Sequence, residues 1–241
     1  MINKHTSEFK NILPEFENEF KQVVEQEGVL FLQPEKRFEL GEFKTKFKNS
    51  FSNLIDILIK NELTIESCEY AFGYEDPFYL DEIESNLNGY IDLLLKNKAG
   101  VFVVFDLKWT FSDKKHKQKI ENNEEIQLAL YTAALKDQTN IITGYFLLNQ
   151  NKLITKADLL GDNILKIKSD KTSSDVLSKI ERSIRFRWSE IRSGKLEIGD
   201  DMSPNSLEYK KQPDLILLPE KDKVKESNKY SGLELFKGQL N

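Results

Sequence analysis

Residues 88–110 constrain the fold more than any other part of the chain: two apolar runs flank a short polar break, and each run carries an acid in its middle. Gly89-Tyr90-Ile91-Asp92-Leu93-Leu94-Leu95 and Val103-Val104-Phe105-Asp106-Leu107-Lys108 read as buried strands, where a charge is costly unless it is paired or holds a metal. Between them, Lys98-Ala99-Gly100 suits a three-residue hairpin loop, with Gly100 at the left-handed position such loops need. Counting back from a facing Asn97 and Val101 sets Asp92 opposite Asp106, with β-carbons roughly 5 Å apart. Lys108, two residues beyond Asp106, emerges on the same side of the sheet. A slip of one residue would destroy the arrangement.

Strands of this kind need covering helices, and the flanking sequence supplies them. Residues 7–27 carry Phe9, Ile12, Phe16 and Phe20 at helical spacing, with Pro14 limiting where that helix begins. Residues 43–60 repeat the pattern, and 63–72 suit a strand. After a polar, basic loop, residues 120–136 read as one helix, and 141–148 as a strand parallel to the one bearing Asp106. Short strands are expected at 152–155 and 164–167, a long helix at 174–193, and one short strand at 215–218 in an otherwise polar, loosely packed tail. The expected fold class is α/β, with a mixed central β-sheet flanked by helices.

Two carboxylates at strand-pair distance repel unless a cation sits between them. Oxygen ligands without His or Cys suit Mg²⁺ or Mn²⁺. A lysine beside such a cation can orient a water or stabilise charge developing on a phosphate, which describes metal-assisted phosphodiester hydrolysis. The chain bears a net charge of −5, so nucleic-acid binding must come from local patches. Its single cysteine, Cys68, read as a small buried side chain, permits no internal disulfide and fits a reducing compartment. No apolar run reaches the length of a membrane helix and no signal region is visible, so the expected location is cytoplasmic, without a membrane partner.

Gly89 and Asp92 on one strand, Asp106-Leu107-Lys108 on the next, and Gln127 and Tyr131 on the following helix together resemble the PD-(D/E)XK nucleases of the RecB exonuclease type. The resemblance implies a restriction-endonuclease-like core over 41–198, preceded by an N-terminal helical segment (1–40) and followed by a polar C-terminal tail (199–241). It implies Asp92 and Asp106 as metal ligands, Lys108 as the catalytic lysine, and Gln127 and Tyr131 as an accessory pair facing the site and the nucleic-acid strand. An i,i+4 pair shares one helix face, in keeping with this. Relatives often add an upstream His or Glu ligand; Glu66 and Glu69 are the nearest candidates here. An iron–sulfur cluster is not expected, because one cysteine cannot hold it.

Lys114, Lys115, Lys117 and Lys119 crowd the segment after the Asp106 strand, beside the expected site, and could grip DNA phosphates. His116 among them reads as a surface residue. The expectation is a metal-dependent DNA nuclease of repair, recombination or defence, acting through a water positioned by Lys108. Its rival is a catalytically inactive nuclease-fold protein that binds nucleic acid or a protein partner. With no phosphate-binding Gly-rich loop in the sequence, ATP-driven unwinding is expected from a helicase or other subunit in trans.

Overall fold

The structure, a computed structural model, describes residues 6–74, 78–80, 85–135, 140–169 and 171–194. The expected tail at 199–241, with its strand at 215–218, lies outside the described residues. The elements run α1 (Thr6–Glu27), α2 (Arg37–Lys60), β1 (Thr64–Phe72), β2 (Phe78–Leu80), β3 (Ser85–Leu87), β4 (Gly89–Lys96), β5 (Phe102–Lys108), α3 (Lys114–Glu121), α4 (Ile126–Ala134), β6 (Ile142–Leu147), β7 (Lys152–Thr155), β8 (Ile164–Lys166) and α5 (Ser173–Arg192). Short 3₁₀ turns occupy Val29–Leu32, Pro34–Lys36 and Leu148–Gln150.

The chain forms two compact units. The first, residues 1–78 and 86–176, contains a six-stranded sheet in the order β1-β4-β5-β6-β7-β8. Its β5–β6 and β7–β8 pairs are parallel and the others antiparallel, so the sheet is mixed, as expected. The strands β2 and β3 stand outside it. The second unit comprises residues 79–85 and 177–241; its described part is dominated by α5, which closes at Gly194 with φ of +80°.

Alternation along the strands divides the core of the first unit into two layers. Leu93, Leu95, Val103, Phe105 and Phe146 pack with Leu54, Ile57 and Leu58 of α2. Leu94, Val104, Tyr145 and Ile154 pack on the other side with Ile120 of α3 and with Leu128 and Tyr131 of α4. Phe16 of α1 stacks on Phe47 and Phe51 of α2, at ring separations of 5.8 and 6.1 Å.

The β4–β5 turn fixes where Asp92 and Asp106 stand. Asn97 N–H donates to the Val101 carbonyl at 3.0 Å, Gly100 N–H to the Asn97 carbonyl at 2.9 Å, and Val101 N–H to Asn97 Oδ1 at 2.9 Å. Gly100 has φ of +84°. The pairs from Lys96–Phe102 to Leu93–Phe105 then set a register that carries Asp92 opposite Asp106.

Several expectations need correction. The first helix starts at Thr6 and runs through Pro14 rather than starting near it. The basic segment expected to be a loop is helix α3, and the single helix expected over 120–136 is broken. At the break Asn123 takes φ of +54°, and Lys156 Nζ donates to Asn123 Oδ1 at 3.3 Å while pairing with buried Glu125. Cys68 is exposed rather than buried, because β1 is an edge strand whose residues 68–71 all face solvent.

A methyl group at Gly100 would meet nothing nearer than Lys96 Cε at 3.9 Å, so its cost there is conformational rather than steric. Gly100→Ala should destabilise the protein by about 1–2 kcal/mol, read from the midpoint of urea denaturation. An unchanged midpoint would contradict the left-handed turn.

Candidate active site

Among the described residues of the first unit Asp106 is the most deeply buried charge, with no solvent exposure. Its strand places it there: β5 is an interior strand, and Phe105 and Leu107 on either side turn to the α2 layer. Lys108 Nζ reaches back along the same side, 3.0 Å from Oδ1 and 2.8 Å from Oδ2. Its hydrogen bond is directed at Oδ1, which leaves Oδ2 without an aligned donor among the described residues. Tyr131 Oη also donates to Oδ1, at 3.4 Å, and Gln127 Nε2 donates in turn to Tyr131 Oη. The i,i+4 pair on α4 therefore ends on the buried carboxylate.

Asp92 is half-buried and uses its side chain in place of the strand ladder: Oδ2 accepts the Leu107 N–H at 2.7 Å. Burial holds the Asp106 carboxyl above the ordinary carboxylate range, against the lowering pull of the Lys108 ammonium, and the nearby charge of Asp92 adds to the rise. Burial likewise pushes the Tyr131 hydroxyl far up, so it stays a proton donor near neutral pH.

Asp92, Asp106, Lys108, Gln127 and Tyr131 thus meet at one place. The remaining candidates are arranged differently. Glu66 and Glu69 are exposed on β1, where the pairing with β4 is irregular between Ile65 and Ser67. Glu69, at φ of +52°, lies between the pairs Cys68–Leu93 and Tyr70–Ile91 and so stands across from Asp92. Among the described residues no three His, Cys, Asp or Glu side chains gather at metal-binding spacing. On α3, Lys114 and Lys115 are exposed and Lys117 pairs with Glu121 at 3.5 Å. Lys119 is half-buried and near enough to the site to feel it. Burial lowers its affinity for a proton, Lys115 and Lys108 lower it further, and Asp106 opposes them.

His116 and Tyr145 escaped the sequence reading. His116 is buried rather than on the surface, its ring 4.8 Å from that of Tyr145, and burial lowers its basicity. Tyr145 pairs with Asp106 across the parallel β5–β6 register, and its hydroxyl has no hydrogen-bond partner among the described residues. Local pattern carried no signal for either: a histidine among lysines looks wet, and a tyrosine in an apolar strand looks like packing.

The residues fit a divalent cation. A buried carboxylate oxygen without an aligned donor, a second carboxylate facing it and a carboxyl pKa raised by burial are what two hard oxygen ligands show before a cation neutralises them.

Because Asp106 binds its proton more tightly in the folded chain than in the unfolded one, its contribution makes metal-free stability fall as pH rises above the ordinary Asp value of about 3.9. The melting temperature of Asp106→Asn relative to wild type, in EDTA, should therefore shift in favour of the variant between pH 4 and pH 7. A pH-independent difference would contradict the raised value.

A sequence model of the PD-(D/E)XK nuclease superfamily matches residues 3–202, which takes in the sheet, α1–α5 and every residue of the cluster. No curated protein and no solved structure matches the chain. With an Asp-x-Lys strand, a facing aspartate and a mixed sheet covered by helices on both sides, the chain belongs to the PD-(D/E)XK nuclease superfamily.

Proposed function

We propose that the protein is a divalent-metal-dependent nuclease that hydrolyses DNA phosphodiester bonds, with Asp92 and Asp106 as metal ligands. The observation that carries this reading is the buried Asp106 carboxylate, held by Lys108 and Tyr131 and raised in pKa by its burial, with Asp92 opposite it in the hairpin register. Bound there, Mg²⁺ or Mn²⁺ would draw charge from the phosphate and make a water acidic enough to attack. Glu69, across from Asp92, is the better placed of the two β1 acids to add an oxygen ligand.

The chain's own residues do the rest. Lys108, about a third exposed at its side chain, pairs with Asp106 while the rest of that side chain stays within reach of solvent. There it orients the attacking water and balances the charge that grows on the phosphate oxygens. Tyr131 holds Asp106 in one rotamer, and Gln127 holds Tyr131, so the carboxylate is aimed before any substrate arrives. Lys119, with Lys114 and Lys115 further out on α3, supplies positive charge for the flanking phosphates. Lys117, already paired with Glu121, contributes less. A role in DNA repair, recombination or defence fits this chemistry, with strand separation supplied by another protein.

Purified protein with end-labelled DNA should cleave in Mg²⁺ or Mn²⁺ and stop in EDTA. Asp92→Asn, Asp106→Asn and Lys108→Ala should each lower the rate by at least about a hundredfold while the far-ultraviolet circular dichroism is unchanged. Full cleavage by Asp106→Asn would overturn the assignment. Divalent cation should also raise the melting temperature of the wild type and not that of Asp106→Asn; equal shifts would place the metal elsewhere.

A further inference from the structure

The strand that carries Asp106 and Lys108 leads directly into two exposed aromatic side chains. Trp109 is 39% exposed and Phe111 81% exposed. Adjacent Cα atoms lie 3.8 Å apart, so Phe111 is at most about 11 Å from Lys108 along the chain. A single apolar residue on a surface needs no explanation; two in one short loop beside a reactive site call for one.

The loop is braced rather than loose. Trp109 lies against Phe43 of α2 with ring centroids 4.6 Å apart, and Phe43 continues into the rings of Phe47 and Phe20 at 6.0 Å each. Thr110 Oγ1 bonds both the carbonyl and the N–H of Ser112, and Asn149 Nδ2 donates to the Thr110 carbonyl at 3.4 Å. Lys114 N–H donates to Ser112 Oγ, and Asp113 is tied to Lys152 at 2.6 Å. The bracing therefore fixes both ends of the loop while leaving the Phe111 ring in water. Immediately after it come the exposed Lys114 and Lys115.

We propose that Trp109 and Phe111 form a stacking platform for unpaired bases, which makes single-stranded nucleic acid the preferred substrate of the site. The inference rests on the nuclease reading for the position of the scissile phosphate, and on the loop for everything else. Ring faces in water and ammonium groups within a few residues match the alternation of base and phosphate along a single strand. In a duplex the base faces are already stacked on one another, so the platform has nothing to hold. The apolar surface at Val29–Leu32 is also exposed, but it does not continue from the strand that carries Asp106 and Lys108, and the Lys36 that follows it is paired with Glu39 at 2.8 Å.

The test is equilibrium binding of a fluorescein-labelled single-stranded oligonucleotide and of a duplex of equal length to the full chain in EDTA, followed by anisotropy. Single strand should bind more tightly than duplex, and Phe111→Ala should weaken single-strand binding about 5- to 100-fold with little effect on duplex, while Phe111→Trp restores it. Trp109→Ala should act in the same direction; because Trp109 also packs on Phe43, its melting curve is recorded beside the binding curve. Equal affinity for the two forms, or an unchanged affinity in Phe111→Ala, overturns the platform. Single-strand preference without cleavage under any metal would instead sink the nuclease reading and support the platform. Cleavage of both forms at equal rates, insensitive to Phe111→Ala, would do the reverse.

Discussion

The clamp that Asn97 makes on Val101 and Gly100 is the constraint on which the site depends. It uses three hydrogen bonds and one left-handed glycine to set the register of β4 against β5. Register in a sheet is all-or-none, since a slip of one residue turns every side chain to the opposite face. With the clamp in place, Leu93, Leu95, Val103 and Phe105 all reach the α2 layer, and Asp92 and Asp106 share the other face. Core packing and site assembly therefore select the same register, and neither has to be sacrificed for the other.

Asp106 shows where the structure accepts a local penalty. A fully buried carboxylate with one oxygen lacking an aligned donor is unfavourable in isolation, and burial dominates its acidity despite an ammonium at 2.8 Å. The surrounding layer of Val104, Tyr145 and Tyr131 holds it there anyway. Strain of this kind is concentrated where a protein binds or reacts, because it is relieved only by the right ligand.

The hairpin, the facing acids and the parallel β5–β6 pair were legible because each depends on local information: a glycine at a turn, alternation along a strand, a helix between two strands. What escaped was set by distant contacts. The break between α3 and α4 hangs on Lys156, which reaches Asn123 and Glu125 from beyond β7, and no helical periodicity over 120–136 reveals it. His116 looked solvated among lysines, yet Tyr145 of β6 covers its ring. Cys68 looked like core, yet β1 takes the edge of the sheet, and edge position belongs to topology rather than to the strand's own sequence. The positions of Asp92, Asp106 and Lys108 followed from spacing; the surroundings that tune them did not.

Asp92 has a double employment. Its Oδ2 takes the Leu107 amide that a neighbouring strand's carbonyl would otherwise accept, so the carboxylate is part of the main-chain fastening of β5. Any change of charge on Asp92 is thereby transmitted to the backbone between Asp106 and Lys108. The amide of Leu107 becomes a built-in reporter: its exchange with solvent tracks the electrostatic state of the cluster without any label on the reacting groups.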